Sequence, residues 1–446
     1  MVMPKRIKRT LQFIAAFFVL LFVLLAVSIA PIDRTPIEQQ PFYQASHQAV
    51  DQLEIQHTDG HDSLQIGWAT VSITPDHAMP MAGYRPRDRF EDVHDSLFTR
   101  VLLMDNGSAK IAMISVDLLL FPPALYQTLK QALQGKVDFM YVSATHTHNG
   151  VGAFDPTMGG EIVSGDYDPA WILHLSEMIQ DAVQQADQQK MNATIAYGEN
   201  YALDLVSNRL RRSGQKDGLL RSMLIKRADS STGIFFTFSA HANSINKTSL
   251  SLSGDYPGQV IEKLQHSGID FGMYMAGMVG SHRTEYKMYR LDNFPLLDTF
   301  SRVLTKRLLN TQYQPLDDKS SISFGEVPIT FGPAQMRLLN NWRVRPWLFN
   351  AVFNPLQGNL TYLKIGNITM VGTPCDFSGE LYLNHLKSYE DPLMITSFNG
   401  SYVGYITEDK AYDEIDKPEV MNMNWVGPYH GQFMAALIEK LINKEK

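Results

Sequence analysis

The clearest chemical potential in this chain lies in histidines at the ends of apolar runs. Tyr141-Val-Ser-Ala-Thr-His-Thr-His148 reads as a buried strand leading into two histidines, followed by a Gly-containing loop to Gly152. Residues two apart on a strand share a face, so His146 and His148 would project together from its carboxyl end, where α/β proteins place their sites. Neutral imidazoles so placed suit a metal, and the glycines would let a substrate approach the backbone. Spacing alone is equally compatible with surface histidines in a loop. The pattern repeats at Phe235-Phe-Thr-Phe-Ser-Ala-His241-Ala-Asn243-Ser244, although a lone strand-end histidine is more often a satisfied core residue. A third apolar run, Ile368 to Gly372, ends in Thr-Pro-Cys375-Asp376 with the carboxylate expected exposed just beyond it, and a fourth stretch is Tyr402-Val-Gly-Tyr405-Ile-Thr407.

Composition narrows the donors. Cys375 is the single cysteine, which excludes an intrachain disulfide and any Cys-only zinc site, so a metal would have to be held by His, carboxylate or tyrosine oxygen. The 446 residues are 44% hydrophobic and 19% charged, with 39 Lys+Arg against 46 Asp+Glu and a net charge of −7. This composition excludes disorder, a collagen-like fibre and a polytopic membrane protein. Without clustered Lys and Arg beyond the first ten residues, no nucleic-acid partner is expected, and no protein partner can be inferred.

The elements that must position these groups are those of a mixed α/β protein. Ile111 to Val116, Phe139 to Ala144 and Ile234 to Phe238 read as buried strands, and Leu125 to Leu133, Trp171 to Ala186 and Tyr256 to Leu264 carry helical spacing. The irregular order predicts mixed β-sheets flanked by helices in one large catalytic domain over 66–446. Ahead of it, residues 1–10 form a basic flank with Lys5, Arg6, Lys8 and Arg9, and 11–30 are apolar enough to cross a bilayer. The charge asymmetry places the flank in the cytoplasm and the domain on the exported, periplasmic or extracellular, side. The length of the apolar run favours a single-pass signal-anchor, although the small residues Ser28 and Ala30 would suit a signal peptidase and release a secreted domain. Residues 31–65 are expected to be a loose tether, with His57 and His61 in a turn. Asn340-Asn-Trp342-Arg-Val-Arg-Pro-Trp347-Leu-Phe349 reads either as an interfacial or pocket-mouth loop or, with more weight, as buried core aromatics.

Several motifs in order give the chain a family resemblance. Gly67-Trp-Ala-Thr-Val-Ser-Ile-Thr-Pro75, Ala82-Gly-Tyr84, Val93-His-Asp-Ser-Leu-Phe-Thr-Arg100, Ser115-Val-Asp117, Ser143-Ala-Thr-His-Thr-His-Asn-Gly150, Asn208-Arg209, Ser253-Gly-Asp-Tyr-Pro-Gly258, Gly372 to Asp376, Gly404-Tyr-Ile-Thr407 and Gly427-Pro428 resemble the neutral, nonlysosomal ceramidase family from Gly67 onwards. The resemblance implies a catalytic zinc held by His146, His241, Asp376 and Tyr405, with His148 and Arg209 polarising the substrate carbonyl and stabilising the oxyanion. It also implies that Asp376 takes the proton when water, its pKa lowered to about 7, attacks an amide. His94, Asn243 and Ser281 are further candidates for the pocket.

The chain departs from the family pattern in four places. Asp376 stands where the family usually has glutamate, one methylene longer, with Glu380 as a substitute candidate. Val279-Gly-Ser-His-Arg-Thr284 replaces a more polar loop, and Tyr412 is the nearest candidate for a second pocket tyrosine. The length leaves no room for the family's immunoglobulin-like carboxyl-terminal domain. The resemblance therefore implies a membrane-anchored, zinc-dependent amidohydrolase cleaving the N-acyl amide of ceramide or a related lipid. The alternatives are a zinc hydrolase of another amide or ester and a catalytically inactive membrane-tethered binding protein. A Cys375 nucleophile is weaker, since the neighbouring carboxylate disfavours its thiolate.

Overall fold

The computed structural model describes residues 5–60, 63–84, 87–285, 291, 293–316 and 320–445; His61 lies outside them. The apolar runs do form strands, Lys110–Val116, Phe139–Ala144 and Thr232–Phe238, and the amphipathic ones the helices Pro123–Ala132, Pro169–Gln188 and Asp255–His266. A nine-stranded mixed sheet runs in the order Phe271–Ala276, Thr232–Phe238, Leu219–Arg227, Met191–Tyr201, Gln65–Ser72, Phe98–Asp105, Lys110–Val116, Phe139–Ala144, with Gln314–Pro315 added to Met191–Tyr201. Its first pair and its last pair are parallel. A five-stranded sheet orders Gln56–Thr58, Ile322–Thr330, Gln357–Ile365, Ile368–Gly372 and Leu393–Thr396.

Alternation along the strands decides what each face covers. Val101 and Leu103 join a core shared with the helices Pro123–Ala132, Pro169–Gln188 and Asp255–His266. Leu102 and Met104, pointing the other way, meet Phe324, Leu363 and Met370 of the five-stranded sheet. With both faces covered, the strands read as continuous apolar runs rather than alternating ones. The outer face of the five-stranded sheet packs on the helices Pro41–Gln52 and His430–Ile442 through Phe42, Val50, Phe433 and Leu437. The segment expected to be a loose tether is thus largely built into the fold: Phe42 and Val50 are core residues, and His57 lies in a strand with Ser323 Oγ 2.8 Å from its Nδ1. Its mostly polar composition concealed the few apolar anchors of a short helix.

The large sheet curls strongly. Trp68 and Phe271 stand four strand spacings apart, about 19 Å in a flat sheet at about 4.8 Å per strand. Their rings nevertheless stack at 5.3 Å. Ser115 Oγ reaches the Tyr274 carbonyl of the opposite edge strand at 2.5 Å. The curl carries the carboxyl ends of Phe139–Ala144 and Thr232–Phe238 towards each other.

Candidate metal centre

Each side chain of the centre is delivered by a strand end. His146 follows Phe139–Ala144, and His241 follows Thr232–Phe238. Asp376 and Tyr405 are paired neighbours on two short parallel strands, Asp376–Phe377 and Tyr405–Ile406. His146 adopts φ 62°, a left-handed conformation costing about 1–3 kcal/mol for a non-glycine residue. Phe398, itself at φ 64°, stacks on its ring at 4.2 Å. Two glycines are required by close approach: a Cβ on Gly83 would lie 2.5 Å from His148 Cα, and one on Gly280 would lie 2.4 Å from the Asp376 carbonyl oxygen.

The polar groups converge. His146 Nδ1 lies 2.5 Å from the Leu119 carbonyl and His241 Nδ1 3.1 Å from that of Val279. A carbonyl only accepts, so each Nδ1 carries the proton and each Nε2 presents a lone pair. These two Nε2 atoms are 2.8 Å apart, and with both unprotonated that contact is not a hydrogen bond. Asp376 Oδ1 lies 3.5 Å from His146 Nε2 and 3.8 Å from His241 Nε2. The Tyr405 hydroxyl is 3.2 Å from His241 Nε2, and His148 Nε2 is 3.4 Å from His146 Nε2. Asp376 Oδ2 accepts from the Tyr402 hydroxyl at 2.7 Å, while the buried Oδ1 has no hydrogen-bond partner.

Burial sets the protonation states. It lowers the pKa of His146 to about 3 and takes those of His148 and His241 well below the ordinary value, so all three imidazoles are neutral at pH 7. Burial pushes Asp376 the other way, up to about 7. It also opposes the Arg209 charge, but Tyr405, Glu419 and Asp376 outweigh that and hold the guanidinium above its usual pKa. Arg209 pairs through Nη2 with Glu419 and lies over the Tyr405 ring at 5.8 Å, with its buried Nη1 unpartnered. Facing lone pairs and an orphaned carboxylate oxygen in a buried site are a donor set that fits a divalent cation with a preference for N and O ligands.

The structure therefore brings together His146, His148, His241, Asp376, Tyr405 and Arg209. Asp376 is fully buried rather than exposed, and it faces the imidazoles despite its short side chain. Glu380 is instead engaged by the Asn208 amide. Asn243 is half-buried beside His241, its backbone N–H donating to the His241 carbonyl at 3.0 Å. Ser281 touches the neighbouring His282 through Oγ, and its carbonyl receives the Arg209 amide at 2.9 Å, so its backbone is what serves the site. His94 stands apart, bonded to Asp95 at 2.7 Å and stacked on Phe294; the Asp95 hydrogen bond raises its pKa. Tyr412 packs beneath Arg337 with Leu210 and Val420. Burial raises the Cys375 thiol pKa far from the thiolate range, which removes it as a nucleophile.

Sequence reasoning did not single out Tyr402, Phe398 or Glu419. Tyr402 has a local signal, since it stands three residues before Tyr405 in the stretch Tyr402-Val-Gly-Tyr405. Glu419 carries no local signal, because it reaches Arg209 across 210 residues of chain only after folding.

The architecture belongs to the mixed α/β class whose sites lie at strand ends. More particularly, it is the fold of the neutral ceramidases. No family model matches the chain. The crystal structure of neutral ceramidase from Pseudomonas aeruginosa is similar with a TM-score of 0.73, covering 86% of this chain and 75% of that one at 13% identity. A ceramidase complexed with C2 is similar with a TM-score of 0.68 over the same shares, also at 13% identity. At this identity the likeness is one of fold.

Proposed function

We propose that the chain is a zinc-dependent amidohydrolase that cleaves the N-acyl amide of ceramide or a related lipid. The observation that carries this reading is the unpartnered Asp376 Oδ1 facing two imidazole lone pairs on a ceramidase fold. His146, His241, Asp376 and Tyr405 would hold the metal. When bound, it would polarise a carbonyl and acidify water. The Leu119 and Val279 carbonyls keep protons off the inward nitrogens. Tyr402 fixes one Asp376 oxygen and so leaves the other facing the imidazole nitrogens, where it would meet the metal. Arg209, braced by Glu419, and His148 would donate to the amide oxygen as negative charge develops there.

A second reading of the same centre has its own support. Donor nitrogens of His146, His148 and His241 lie within 4.8 Å of one another, so His148 could be a ligand instead of an oxyanion donor. Release of fatty acid from labelled ceramide, abolished by chelator and by His146→Ala, tests the activity. Full zinc occupancy with no release would redirect the assignment to another amide or ester.

The amino-terminal helix Lys5–Ser28 is long and apolar enough to cross a membrane, by length and composition. We read it as a retained anchor with the domain on the exported side. Ile29–Pro31 supports this, because it straddles the small-residue cleavage signal and pairs with Trp342–Val344 as a strand. A mature protein beginning at Pro31 would overturn the anchor.

A further inference from the structure

The end of the amino-terminal helix is held by an unusual set of partners. Trp347 Nε1 donates to the Val27 carbonyl at 2.6 Å, Arg345 Nε to those of Ala26 and Ile29 at 3.1 and 3.0 Å, and the Arg345 amide to Ser28 at 2.8 Å. These satisfy carbonyls that a helix end leaves orphaned, and the Arg345 charge suits the negative end of the helix. Immediately beside this junction, large apolar side chains face outwards. Leu339 is 71% exposed, Trp347 55% and Trp342 47%, all on the hairpin Arg337–Val344 or the helix Pro346–Phe353 that follows. That helix packs on Met158–Ser164, where Phe353 fills the space left by Gly159, and Met158 and Ile162 are exposed there as well.

The same elements connect inwards to the centre. Phe349 and Phe353 pack on Trp425, whose ring meets Tyr402 at 5.3 Å. Tyr402 holds Asp376 and lies beside Phe398, which stacks on His146. Met158–Ser164 in turn follows the histidine loop, with the Ala153 amide bonded to the Ser164 carbonyl at 2.7 Å.

We infer that the hairpin Arg337–Val344 and the helices Pro346–Phe353 and Met158–Ser164 form a face that lies on the phospholipid bilayer beside the anchor. The bilayer is the occupant because the face continues directly from a membrane-length helix. Its tryptophans, with Arg343 and Arg345 beside them, have the composition of an interfacial belt. A partner protein would have to share that plane with the lipid. The inference rests on the anchor reading above.

Fluorescent thiol labels test it. Cys375 is buried, so thiols introduced by Leu339→Cys and Ile162→Cys can be labelled alone, with Leu309→Cys, exposed at the end of Asn293–Leu309, as the reference position. The full chain is reconstituted in phosphatidylcholine vesicles carrying nitroxides on their acyl chains, and metal content equal to that of the unlabelled chain shows that each labelled protein is folded. At least twofold stronger quenching at 339 and 162 than at 309, with the reverse order for aqueous iodide, is expected. If the helix is retained and all three labels stay in water, the face is overturned while the anchor stands. If the mature chain lacks the helix and 339 and 162 are still quenched on vesicles, the anchor reading fails and the face stands.

Discussion

The histidine centre and the junction of the amino-terminal helix with the domain show opposite ways of leaving surface unmatched. In the centre, two carbonyls fix the outer nitrogens of His146 and His241 and a tyrosine fixes one Asp376 oxygen, which leaves acceptor atoms pointing inwards: two Nε2 atoms 2.8 Å apart and Asp376 Oδ1. At the junction the backbone is satisfied just as carefully by Arg345 and Trp347, and what remains is apolar area pointing outwards. Burial of polar groups without partners is costly, so the first pattern marks a place for a cation. Clustered exposed apolar groups mark a place for another apolar phase. The proposed metal centre and the proposed membrane face thus have separate structural signatures, and they can be broken separately.

The largest break is His241→Ala. It removes one of the two facing lone pairs, and metal content by elemental analysis and amide hydrolysis should both fall to background while vesicle association is kept. Metal retained in full would refute His241 as a ligand. Next, His148→Ala should lower kcat about 10²- to 10³-fold, the scale of a lost oxyanion donor, with metal content unchanged. Loss of metal instead would select the three-histidine holder.

These variants bear on how much of the molecule could be read in advance. The strands delivering His146 and His241 were legible because both faces of the sheet are covered, which turns each strand into a continuous apolar run. Their meeting was not legible from the runs themselves, since it depends on the curl that stacks Trp68 on Phe271; only the family resemblance joined them. The same limit hid Glu419, whose role exists only through a long-range pair with Arg209. For Trp342 and Trp347 the aromatic-rich stretch alone gives more weight to burial in the core than to an interfacial loop. The structure buries Phe349 from that stretch and leaves both tryptophans substantially exposed.

A smaller effect separates ligand from support within the centre. Tyr402→Phe removes the hydroxyl that orients Asp376 without touching the imidazoles, and partners of this kind change metal affinity about 10- to 100-fold. Competition with a chromophoric chelator should show that weakening, with saturating zinc restoring activity. Unchanged affinity would mean that the backbone pairing of Asp376 with Tyr405 positions the carboxylate unaided.

The smallest effect falls at the junction. Arg345→Ala deletes the side-chain bonds to the Ala26 and Ile29 carbonyls and the positive charge at the helix end, a contribution of about 0.3–1 kcal/mol at such a position. Local opening of residues 26–31 should rise about two- to fivefold, read by hydrogen exchange in the reconstituted chain, with metal content unaffected. The strand pairing of Ile29–Pro31 and the Trp347 bond to Val27 remain in that variant. An effect larger than tenfold would therefore mean that Arg345 alone carries the attachment, and that the helix exit is a hinge rather than part of the sheet.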